Sequence, residues 1–97
     1  MDCGLPRELN VVYIGRKPTM SYVLAIITSF TGSDAKEVTL KARGQSITTA
    51  VDAAEITRRR FMKELNLGEI TIGTEEIQQE EGGTRNVSTI EITLTRG

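Results

Sequence analysis

Arg16 and Lys17 follow a short β-rich run, and Lys41 and Arg43 close a second one, so four cations stand where two strands are expected to end. If those strands are parallel neighbours, their C-terminal ends lie together. The cations then share one edge with the starts of the two helices that follow. Guanidinium and ammonium groups beside helix N-termini suit phosphate oxygens, and phosphate contacts position a nucleic acid without reading its bases. Catalysis is not expected. The chain has no histidine, and nothing marks one Ser or Thr as an activated nucleophile. Gly15-Arg-Lys-Pro18 lacks the glycine spacing of a phosphate-cradling loop. Glu75, Glu76, Glu80 and Glu81 cluster around an expected exposed hairpin rather than a cleft. With no histidine and Cys3 alone, no zinc site of the usual kind can be built. No metal and no cofactor are expected.

The elements that must position the cations fit one small domain spanning residues 1–97. At 38% hydrophobic and 26% charged residues the composition is that of a globular protein. No apolar run reaches the roughly 20 residues of a membrane-spanning helix, and no membrane partner is expected. Residues MDCGLPRELN lack the basic-then-apolar order of a secretory signal. With the single cysteine, this points to a reducing, cytoplasmic setting. The net charge of −1 hides a division. Residues 1–60 carry nine Lys/Arg and six Asp/Glu, a balance of +3, whereas residues 61–97 carry three and seven, a balance of −4.

Residues 1–9 are expected to be flexible. Asn10–Ile14 reads as a strand ended by Gly15. Pro18 suits a first helical turn, and a helix is expected over 19–30. Its Met20, Val23, Leu24 and Ile27 share one face, while Tyr22, Ala25 and Ile26 are apolar on others, so two surfaces should be covered. Glu37–Ala42 alternates like a half-buried strand. Ser46 is the expected N-cap of a second helix, with Ile47, Ala50, Val51, Ala54, Phe61 and Leu65 as its inner face. Arg58 lies beside that stripe, and Ile56 falls among charges on the far side. Strand character returns at Glu69, with a bulge expected near Gly73 because Ile77 breaks the alternation of Ile70 and Ile72. Gly82-Gly83 signals a hairpin turn before a strand over 87–95, giving an extended arm over 75–86. The order β-α-β-α-β-β implies a two-layer α/β sandwich, a mixed sheet with both helices on one face.

Three segments, IGRKPTMSYVLA, KARGQSITTAVDAAEITRRRF and NVSTIEI, resemble in order and over nearly the whole chain the Alba family of archaeal chromatin proteins. The resemblance implies a domain similar to the C-terminal domain of translation initiation factor three, acting as a homodimer or as a heterodimer with another Alba paralogue. It implies binding of double-stranded DNA, and of RNA in many members, largely without sequence specificity, in chromosome association. Carried over to this chain, Arg16, Lys17, Lys41 and Arg43 are the body's nucleic-acid contacts and Arg85 the hairpin's. Lys17 matches the lysine subject to acetylation in the family. Arg60 and Phe61 fall where members make dimer–dimer contacts.

The departures are as informative. Gln45 follows KARG where the family commonly has a basic residue, and Thr48 and Thr49 stand where members often carry lysine. The hairpin opposes four glutamates to Arg85, with Asn86 where arginine is common. Such an arm is repelled by a phosphate-lined groove, so weak DNA binding with a shallow salt dependence is expected. Two alternatives are a mainly RNA-binding protein using the same cations, and a dimerising scaffold with little direct contact.

Overall fold

The computed structural model describes residues 10–32 and 35–96, so the expectation of flexibility over 1–9 lies outside the described residues. The elements run β1 (Val11–Tyr13), α1 (Thr19–Gly32), β2 (Glu37–Arg43), α2 (Ser46–Ile56), a π-helical turn (Thr57–Phe61), β3 (Leu65–Gln78) and β4 (Thr84–Arg96). Their order across the sheet is β1-β2-β4-β3. β1 and β2 are parallel, as a helical crossover allows, and the other pairs are antiparallel. The mixed sheet with two helices, expected from the alternation of element types, is what the chain forms.

The core lies between the helices and one face of the sheet. Val38 and Leu40 of β2 and Leu94 of β4 are fully buried there, against Val23, Ile26 and Phe30 of α1 and Ala50 and Ala53 of α2. Small alanines on α2 let that helix approach closely. The larger side chains each contribute about 1.5–3 kcal/mol through burial. α1 buries Tyr22, Val23, Ile26 and Phe30 instead of the face through Met20 and Leu24, which stay exposed. A helix that is apolar all round does not reveal by periodicity which side faces inward.

The second helix differs more. Gln45 is its N-cap, without a side-chain bond, and Ser46 is the first helical residue. Helical phase holds only to Ile56. Met62 N–H then bonds the Thr57 carbonyl at 2.7 Å, five residues back. This wider turn takes up an extra residue and so shifts the helical phase, and Phe61 swings out to solvent while Met62 takes the inward position. Val51 is exposed too, Ile56 is half-buried against the core rather than on the far side, and Leu65 belongs to β3. Thr57, fully buried, satisfies its hydroxyl on the Ala53 carbonyl at 2.8 Å.

β3 and β4 form the long arm. Their register slips between Leu67 and Ile70, earlier than the Gly73 expected, and then runs without interruption from Ile70↔Ile92 to Gln78↔Thr84. Ile77 therefore lies on the opposite sheet face from Ile70 and Ile72 by simple alternation. The turn is where expected: Gly82 and Gly83 adopt φ values of +94° and +83°, which side chains other than glycine resist.

Candidate nucleic-acid interface

Parallel pairing places Tyr13 opposite Lys41, so both strands run out at the same end of the sheet. The Gly15–Pro18 loop leaves β1 there, and the Arg43–Gln45 turn leaves β2. Gly44 makes that turn with φ +59° and donates its N–H to the Ser88 carbonyl at 2.9 Å. Two side chains hold the neighbouring loop. The Tyr22 hydroxyl, presented by the first turn of α1, accepts the N–H of Gly15 at 2.8 Å and of Lys17 at 3.0 Å. From the other side, Ser46 Oγ donates to the Gly15 carbonyl at 3.3 Å. The loop is thus clamped by both helices, and Arg16 and Lys17 project from it into solvent. Among the described residues neither has a carboxylate partner. Tyr22 is the candidate positioning residue that sequence reasoning missed. Its only signal was a polar-tipped aromatic in a mainly apolar helix.

Lys41 and Arg43 reach the same end but are not free. The Lys41 ammonium lies 3.7 Å from the Glu91 carboxylate across the β2–β4 pair, and the Arg43 guanidinium bonds Glu75 at the base of the arm. These half-exposed pairs contribute little to stability, about 0–1 kcal/mol each. Their consequence is local: a phosphate must displace or share a carboxylate at two of the four cations. Arg85 is not brought into the group. It lies on the arm opposite Ile77, four residues beyond Thr89, the partner of Arg43, or about 13 Å along β4.

Arg60 and Phe61 lie apart from these cations, at the π-helical turn, and both are exposed. Beside them Glu55 accepts hydrogen bonds from Arg59 at 2.8 Å and Arg58 at 3.2 Å. The bond from Arg59 is the main reason its carboxyl is held below the usual carboxylate range, with the Arg58 bond and both charges outweighing partial desolvation. Of the RRR run, Arg60 alone has no ion pair among the described residues.

A four-stranded mixed sheet, two helices on one face, a long two-stranded arm and a cationic end to the sheet define a small two-layer α/β domain built to present charge from loops. The Alba family model matches residues 10–74. A DNA/RNA-binding protein Alba of Methanococcus maripaludis is 53% identical over 85 residues, covering 88% of this chain and 96% of that protein. One of Picrophilus torridus is 51% identical over 89 residues, covering 92% and 98%. The solved structure of Alba from Thermoplasma volcanium superimposes with a TM-score of 0.83 at 49% identity, over 90% of this chain and all of that one. The chain belongs to the Alba family.

Proposed function

We propose that the protein binds nucleic acid as a dimer, through phosphate contacts centred on Arg16 and Lys17, with no catalytic step. The observation that carries this reading is the clamped loop. Two adjacent cations stand on a backbone fixed by Tyr22 and Ser46, which lowers the entropic cost of ordering them on a ligand. Relatives named DNA/RNA-binding proteins, at about half identity over nearly the whole chain, support DNA and RNA as the ligands. Lys41 and Arg43 assist only so far as phosphate competes with Glu91 and Glu75. This arrangement favours weak binding that grips the body of the domain, and Arg85, out along the arm, adds at most a minor contact. The exposed Lys17 is the position at which acetylation would delete one cation of the pair.

The dimer is supported by exposed apolar surface. Ile72 is 77% exposed and Ile70 51%, on the helix-bearing face of the arm. Ile47 lines the same groove as Ile72, and Val51, one turn along α2, is exposed as well. A second copy using the same patch would bury both sets, and in a domain this small that burial adds usefully to the core. Residues 1–97 act as one unit in this reading, associated with the chromosome. The alternative of a non-contacting scaffold is favoured by the two self-neutralised cations, and Phe61 with Arg60 offers a further contact surface between dimers.

The test is Arg16→Ala with Lys17→Ala, titrated against a labelled duplex. Most of the binding should disappear. Retention of wild-type affinity would move the interface elsewhere.

A further inference from the structure

Among the described residues one face of the sheet carries no helix, and at its cationic end that face presents an aromatic ring outside the core. Tyr13, on edge strand β1, is 72% exposed. It stands in one row with Lys41 and Glu91, because Tyr13 pairs with Lys41 and Lys41 with Glu91. A shallow groove runs over this row, lined by Tyr13, Lys41, Arg43, Glu75, Thr89 and Glu91. The Arg16–Lys17 loop begins two residues beyond Tyr13.

We infer that Tyr13 is a stacking platform for an unpaired base of single-stranded nucleic acid, an inference that rests on the nucleic-acid reading above and extends it. Three features favour this occupant. An exposed aromatic beside cations is the arrangement by which single strands are held, since every base has a π-face. The carboxylates of Glu75 and Glu91 make the floor of the groove unsuitable for a phosphate track. They can accept N–H groups from a base edge, which a phosphate does not offer. The cations suited to phosphates, Arg16 and Lys17, stand on the loop that leaves β1 two residues beyond Tyr13, so a backbone held by that loop can lay a neighbouring base over Tyr13. A duplex cannot present a base in this way, because its faces are stacked and its pairing edges occupied. The groove therefore separates single strands from duplexes, while the clamped loop serves both.

The chain provides its own reporter. It has two tyrosines and no tryptophan, and Tyr22 is buried with its hydroxyl engaged by the Gly15 and Lys17 amides. Titration of wild type with unstructured single-stranded RNA and DNA oligonucleotides should quench tyrosine emission, and a duplex should quench it much less. Tyr13→Leu should weaken single-strand binding by about 5- to 150-fold, the range for one lost base–aromatic stack. Duplex affinity should stay within about twofold, which also shows that the variant is folded. Tyr13→Phe should behave as wild type, because the ring carries the contact. The strand type that loses affinity, RNA, DNA or both, names the source of the base. The inference is overturned if Tyr13→Leu leaves single-strand affinity unchanged, weakens duplex and single strand equally, or is matched by Tyr13→Phe. Failure of the nucleic-acid reading itself looks different: wild type would then bind neither form.

Discussion

Replacing Tyr22 by phenylalanine removes one oxygen and tests whether the binding loop depends on its clamp. The ring stays, only 7% exposed, so core packing is preserved. What is lost is the common acceptor of the Gly15 and Lys17 amides, at 2.8 and 3.0 Å. Each bond contributes about 0.5–1.5 kcal/mol net, and the loop is open enough for water to replace part of it. A total of about 1–2 kcal/mol follows, equivalent to a fall in Tm of roughly 4–16 °C for a domain of this size. The freed loop must then be ordered again on binding. Fixing even one residue costs about 1–2 kcal/mol, so duplex affinity should fall by roughly 5- to 30-fold. The salt dependence should not change, because Arg16 and Lys17 keep their charges. Thermal denaturation followed by anisotropy titration at several salt concentrations gives all three quantities. Wild-type Tm and affinity in Tyr22→Phe would refute the clamp, and a reduced salt slope would show that the hydroxyl acts on the cations in some other way.

Two other substitutions probe the arm and the apolar face. Ile72→Glu places a carboxylate in the centre of the proposed dimer contact, where an unpaired buried charge costs several kcal/mol. Sedimentation should show a folded monomer, and an unchanged dimer mass would exclude this face. Glu80→Gln with Glu81→Gln removes negative charge from the arm's tip, so duplex affinity should rise severalfold at low salt and converge on wild type as screening shortens the range of the repulsion. No change at any salt concentration would mean that the arm stays clear of the nucleic acid.

Much of this was legible in the residue pattern. Alternation over 37–42 and the Gly82-Gly83 turn gave β2 and the arm, because strand period and positive φ are local properties. Parallel pairing of β1 and β2, which gathers Arg16, Lys17, Lys41 and Arg43, entered the sequence reading only as a condition, because strand order is a tertiary property; the fold meets that condition. The orientation of α1 was not legible, since Tyr22, Leu24 and Ile26 are all apolar and only the sheet decides which of them is buried. The π-helical turn hid the fate of Phe61, because one wider turn shifts every later position and leaves no mark on composition. The Lys41–Glu91 and Arg43–Glu75 pairs were missed for a similar reason. They depend on cross-strand register between segments 32 or more residues apart, and the motif displays those cations without their partners.

The most direct measurement is the slope of log affinity against log salt for duplex binding, compared between wild type and the Arg16→Ala, Lys17→Ala variant. Two loop cations without ion partners among the described residues, on each subunit of the proposed dimer, imply a slope of about −4 for wild type, at roughly 0.9 per phosphate neutralised. The variant should lose nearly all of it. A wild-type slope near −7 would contradict the account, because Lys41 and Arg43 would then be releasing counterions as fully as the loop cations despite their carboxylate partners.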